Sequence, residues 1–199
     1  SSTERFRTTD PVALPTDHHD FLEIPGGHAL LSYPLVTSED LRPFGSNSDT
    51  YADGVIQEVD TAGAEIWRWD TGDHFAPNSS TFPINFADSN GLGPAFDAWD
   101  VFHVNSIDRM SDGDYVVSAR HLDAVFRVDR ASGNLDWTLG GPAGSPGQLT
   151  VLGDPYGGIK RPHDARMVGD VLTVFDNQAG MAGRQSRAVA YRIDEVART

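Results

Sequence analysis

Along the chain, apolar and polar residues alternate in short runs closed by turns bearing glycine, proline or aspartate, the period-two pattern of half-buried strands. No sustained helical period interrupts it, apart from a short turn expected near Ser38 to Leu41. The runs fall into three similar units, each opening on a histidine, passing through an apolar strand, turning at a glycine and entering a second strand. They are His19-Asp20-Phe21 to Tyr33, His103-Val104-Asn105 to Ala119, and His163-Asp164-Ala165 to Phe175. Pro25-Gly26-Gly27, Ser111-Asp112-Gly113 and Val168-Gly169-Asp170 sit between the paired runs and read as hairpin turns.

Each unit continues into a third strand that ends on Asp60, Asp129 or Asp194, positions 69 and then 65 residues apart. The first two units add a fourth strand bearing tryptophan, Glu65 to Trp69 and Asn134 to Leu139. Four antiparallel strands per repeat with a turn-flanked Trp is the pattern of a propeller blade. The expectation is therefore an all-β fold, a β-propeller of four-stranded antiparallel blades spanning residues 1–199, with units at about 17–75, 99–141 and 161–199. The third unit stops before its fourth strand, which makes about two and three-quarter blades, and a closed ring needs at least four. The remaining blades are expected from the rest of a longer chain or from another chain. The inserts Thr37 to Asp53, His74 to Ala98 and Gly140 to Arg161 are loop-like in composition and are expected to carry binding surfaces.

Composition narrows the partners. The 199 residues carry 15 basic and 29 acidic groups, a net charge of -14, which disfavours nucleic acid and anionic membranes. No apolar stretch is long enough for a membrane span. Cysteine is absent, so disulfides, thiolate metal sites and a cysteine nucleophile are excluded.

Strand one of a blade lines the central channel, so His19, His103 and His163 are expected to converge there. Each could instead make a structural hydrogen bond, and repetition of the residue fits either role. Arg120 and His121 end the second strand of the middle unit. Such an arginine can be a rim cation with no task, yet a guanidinium near imidazoles suits a tetrahedral oxyanion such as sulfate, since its planar fork donates bidentately. Asn105, two positions after His103, is expected on the same strand face as an amide donor.

These segments together resemble the PAPS-independent arylsulfotransferases: Asp17-His18-His19-Asp20-Phe21-Leu22-Glu23-Ile24-Pro25-Gly26-Gly27, Val101-Phe102-His103-Val104-Asn105-Ser106-Ile107, Ser118-Ala119-Arg120 and His163-Asp164-Ala165-Arg166. The resemblance implies a six-bladed propeller that moves a sulfuryl group from an aryl sulfate donor to a phenolic acceptor through a sulfated histidine, in a secreted, periplasmic or cell-surface location. By position it implies His163 as the transient nucleophile, with His19, His103, Asn105 and Arg120 as the sulfate-holding shell. His103 or His19 could return a proton to the departing phenolate. Asp164 could set the tautomer of His163, although neighbouring strand residues point to opposite faces. No metal or other cofactor is required.

Two other readings use the same residues. Three histidines with Asp20 and Asp164 could hold a zinc or iron ion for hydrolysis, against which the nearby arginine argues. A non-catalytic propeller serving as a binding platform would suit the acidic surface and long loops. Among the tryptophans, Trp67, Trp69 and Trp137 are expected between blades, while Trp99 and Phe102 are expected against an aryl ring. The turn Ser111 to Asp114 could bind calcium or simply be a turn.

Overall fold

The computed structural model describes residues 14, 16–37, 40–44, 50–82 and 98–199. The chain divides into two compact units, one of residues 1–78 and 83–101, the other of residues 79–82 and 102–199. Regular structure among the described residues consists of strands and short 3-10 turns. The turn expected near Ser38 to Leu41 falls partly outside the described residues, and a 3-10 turn follows at Arg42–Phe44. Most of the insert expected from His74 to Ala98, residues 83–97, lies outside them too.

In the first unit, β1 (Phe21–Ile24), β2 (Gly27–Ser32), β5 (Val55–Asp60) and β6 (Glu65–Asp70) form an antiparallel sheet in the order β1-β2-β5-β6. Gly27 opens β2 because a Cβ there would stand 1.9 Å from the Val59 carbonyl oxygen. Asp60 closes the β5–β6 turn, its Oδ1 accepting from the amides of Ala62 and Ala64 at 2.8 and 2.9 Å. β3 (Leu35–Val36), β4 (Tyr51–Ala52) and β7 (Trp99–Asp100) make a separate small sheet in which β4 and β7 run parallel.

The second unit holds β8 (Val104–Arg109), β9 (Tyr115–Ala119), β10 (Ala124–Val128) and β11 (Leu135–Gly140) as an antiparallel meander. Beside it lies the three-stranded sheet of β12 (Pro162–Val168), β13 (Val171–Asp176) and β14 (Arg187–Arg192). Their apolar faces share one core, in which Val116, Val125, Trp137 and Leu139 meet Ala165, Leu172, Val174 and Ile193. Trp137 is fully enclosed, and its indole N–H donates to Glu195 at 3.0 Å, so a large apolar surface is buried without an orphaned donor. The long loop from Gly140 to Arg161 contributes Leu149 and Ile159 to this core and is therefore part of the fold.

The propeller expectation is overturned. The described strands form four separate open sheets, two of four strands and two of three, and none closes into a ring. Among the described residues, no strand ladder joins the first and last strands of a main sheet. The strand repeat encodes local hairpins, whereas closure depends on pairing that a hydrophobic period does not specify. No helix among the described residues is long and apolar enough to cross a membrane.

Candidate active site

The second unit brings His103, His121 and His163 together. The ring centroids of His103 and His163 lie 6.2 Å apart at 64°, and those of His103 and His121 lie 4.7 Å apart at 43°. His103 precedes β8 with φ +51°, a left-handed conformation uncommon for a residue with a side chain. Its carbonyl is held by the amide of Arg120 at 2.9 Å and by Asn105 Nδ2 at 3.3 Å, which fixes that conformation. A register shift in the β8–β9 pairing follows between Val104 and Ser106, and a matching one in β12–β13 lies between His163 and Arg166. Bulges of this kind re-aim side chains beside functional sites.

His163 lies near the start of β12, and its Nδ1 is 3.1 Å from the Arg161 carbonyl oxygen. A carbonyl can only accept, so Nδ1 carries the proton, and in the neutral ring Nε2 carries the lone pair. Asp164 does not set this tautomer: it is turned outward, where Arg166 Nε donates to its carboxylate at 2.8 Å. The carbonyl of Arg161, at a positive φ of +54°, takes that part instead.

Asn105 is buried behind the histidines. Besides its bond to the His103 carbonyl, its Nδ2 donates to the Pro162 carbonyl at 2.9 Å, and its Oδ1 accepts from Ser118 Oγ at 2.6 Å. Ser118 shares a 2.6 Å bond with Ser106, whose hydroxyl accepts from the Ala165 amide at 2.9 Å. This enclosed polar chain sews the His103 segment to the His163 segment. Each of its members has a partner, which is what makes such burial tolerable.

Arg120 opens a 3-10 turn, Arg120–Leu122, immediately after β9. Its Nη1 donates to His121 Nε2 at 2.5 Å, and its guanidinium carbon lies 6.0 Å from the ring centroid of Phe82. The turn ends at Asp123, whose left-handed φ of +54° aims its carboxylate at the next segment. There Asp123 accepts from the Arg161 amide at 2.8 Å and from Lys160 Nζ at 3.0 Å.

His19 belongs to the first unit and sits in a bend ahead of β1 rather than within a strand. Its Nδ1 meets Asp17 Oδ1 at 2.6 Å, and its amide donates to the same oxygen at 2.8 Å. The hydrogen bond to Asp17 raises the imidazole pKa, overcoming the opposing effect of burial, and the charges of Asp17, Asp100 and Asp20 add to the rise. On Asp17 itself, burial pushes the pKa up but is outweighed by the bonds to His19, and the carboxyl lies below its ordinary value.

Asp17, Arg161, Ser106, Ser118 and Phe82 were not singled out from the sequence as individual parts of this chemistry. Asp17 stood two residues before His19, a readable Asx-turn spacing. The others act through main chain or across strands, and no spacing announces them. Trp99 and Phe102, expected against an aryl ring, are buried, at 4% and 0% exposure. Groups able to offer metal ligands within 4.8 Å of one another include Asp17 with His18 and His19, and Asp114 with Asp129 and Asp136. Neither is the set of histidines with Asp20 and Asp164 expected for a metal, and the Arg127 guanidinium lies against the second, 2.7 Å from Asp114 and 3.3 Å from Asp136. In the turn Ser111 to Asp114, the Asp114 amide donates to Asp112 at 3.2 Å and Arg127 pairs with both aspartates, which is turn chemistry.

Comparison with known proteins places this geometry in context. A family model described as arylsulfotransferase (ASST) matches residues 1–197. No curated protein matches the chain.

Proposed function

Because the chain belongs to the arylsulfotransferase (ASST) family, we propose that it transfers a sulfuryl group between small phenolic molecules, with His163 as the group that carries it. Family membership supports enzymatic sulfate-transfer chemistry in general, and the identity of the nucleophile is our reading. The observation that carries it is the 3.1 Å bond from His163 Nδ1 to the Arg161 carbonyl, which leaves the lone pair on Nε2.

An aryl sulfate is a monoanion with a good leaving group. Nε2 of His163 forms the N–S bond as the S–O(aryl) bond breaks, and the bonding pair leaves with the phenolate, which takes a proton from His103. The N-sulfo imidazolium keeps its Nδ1 proton on the Arg161 carbonyl. The oxygen of a second phenol then attacks sulfur, gives its proton back to His103, and releases neutral His163. Splitting the transfer this way produces ping-pong kinetics. Arg120 neutralises charge on the sulfuryl oxygens, the work of a preorganised donor. Asn105 contributes by holding the main chain of His103 and Pro162 in register, so the two imidazoles keep their spacing.

The test is covalent capture. Mixed with a nitrophenyl sulfate and quenched in base without acceptor, the protein gains about 80 Da, the mass of SO3, in an acid-labile adduct. His163→Ala abolishes the adduct. An adduct that persists in that variant reassigns the nucleophile, and a folded wild-type protein that neither forms an adduct nor transfers sulfate overturns the reading.

A further inference from the structure

We infer that His121 is a positioning residue that fixes the guanidinium of Arg120 by accepting its proton-bearing Nη1 on Nε2. The proposal rests on the reading of Arg120 as the receptor for the transferring group, and it extends that reading to His121, to which the resemblance assigned no role.

Arginine has donors only, so the 2.5 Å approach of Arg120 Nη1 makes His121 Nε2 an acceptor. The imidazole is therefore neutral, with its proton on Nδ1. Its surroundings hold it in that state: the side chain is enclosed, the residue being 2% exposed, and its ring stacks on Phe82 at 4.0 Å with planes 2° apart. The main chain is pinned as well. The His121 amide donates to the Phe102 carbonyl at 3.0 Å, and the His121 carbonyl accepts from Thr81 N at 2.7 Å and from Thr81 Oγ1 at 2.9 Å.

A rigid acceptor of this kind does what a flexible arginine cannot do alone. Arginine carries considerable rotamer entropy, and its strength as an oxyanion receptor depends on the plane of its fork. Gripping one Nη sets that plane, so the directions of the remaining N–H groups are set before a ligand arrives. The same bond separates the roles of the neighbouring histidines. While Nε2 accepts from Arg120 it cannot deliver a proton to a phenolate, which leaves proton transfer to His103, 4.7 Å away ring to ring.

Two variants separate the hydrogen bond from the packing. His121→Phe keeps a ring against Phe82 and removes the acceptor, while His121→Gln offers an acceptor oxygen at similar reach. Folding of each is checked by urea denaturation. For aryl sulfate turnover, His121→Phe is expected to lower kcat/KM by about 10- to 100-fold, the scale of a misaligned contact, and His121→Gln to recover most of it. In an Arg120→Ala background the His121→Phe change is expected to have less than about a twofold further effect, since its partner is gone. A full loss in that background overturns the proposal.

A second readout does not depend on sulfate transfer. Imidazole 15N NMR of the wild-type protein is expected to show His121 protonated on Nδ1 alone. The Arg120 guanidinium signals are expected to show slowed rotation that speeds up in His121→Phe. A proton on Nε2, or guanidinium motion indifferent to the substitution, refutes the link between the two residues. If the NMR result holds while no turnover is found, the function reading has failed and the positioning role has not.

Discussion

Asn105 Nδ2 donates to the carbonyl oxygen of Pro162 across 2.9 Å, joining two segments 57 positions apart in the chain. The bond ties the main chain beside His163 to the segment that holds His103, so the spacing of two histidines depends on a third, buried side chain. Removing it leaves the carbonyls of His103 and Pro162 and the hydroxyl of Ser118 short of partners.

Asn105→Ala should therefore lower stability by about 1–3 kcal/mol, the cost of buried polar groups left unsatisfied. Asn105→Asp should do no better, because a carboxylate cannot donate to either carbonyl. Urea denaturation of the three proteins checks this, and a variant as stable as the wild type would show that the network is not needed for the fold.

Asp53 gives the first unit a pH dependence. Burial, with repulsion from Asp70 and Asp73, pushes its carboxyl up to about 7 despite amide bonds from Gly72 and Gly54. Because the folded value is raised, the native state binds the extra proton, and this stabilisation is complete below the unfolded value and lost as pH rises through about 7. Stability attributable to Asp53 should fall by up to about 1.4 kcal/mol per pH unit over that window and level off above it. Asp53→Asn, which keeps an acceptor for both glycine amides, should lose this slope in denaturation midpoints measured between about pH 4 and pH 8. Equal slopes in both proteins would move the effect to another group.

The Asp17–His19 pair should behave in the opposite sense at its two ends. The raised imidazole value means its stabilising contribution is present below the ordinary histidine range and is lost as pH rises through the raised value. The lowered carboxyl value means that Asp17 contributes above the ordinary aspartate range and loses that contribution as pH falls through the lowered one. The pair is strongest between the two. In an NMR titration, Asp17→Asn should bring the His19 pKa down, and an unchanged titration would reject Asp17 as the cause.

Gly147 stands where no side chain fits. A Cβ there would lie 2.1 Å from the Asp136 carbonyl oxygen and 2.8 Å from Trp137 Cα, and its φ is +57°. Gly144, at φ +84°, has nothing within 4 Å of the same construction. Gly144→Ala should cost about 1 kcal/mol through backbone conformation alone, and Gly147→Ala clearly more, because backbone must also move. Thermal melts of the two variants compare them directly, and equal losses would remove the steric part.

The period-two runs and glycine turns made the hairpins β1–β2, β8–β9 and β12–β13 legible in the sequence, because strand pairing within a hairpin is local and its turn residues are few. Repetition grouped His19, His103 and His163 at comparable points of the three units, whereas Asn105 and Arg120 joined them through strand position and the family resemblance; the fold sets the rings of His103 and His163 6.2 Å apart. Tertiary structure alone decided the rest. Whether sheets close depends on pairing between strands far apart in sequence, and the sheets of the described residues remain open. The tautomer of His163 depends on a main-chain carbonyl, the grip on Arg120 on a ring stacked against Phe82, and the raised value of Asp53 on what surrounds it. Those are contacts of direction and burial, and residue types along a chain carry neither until the chain is folded.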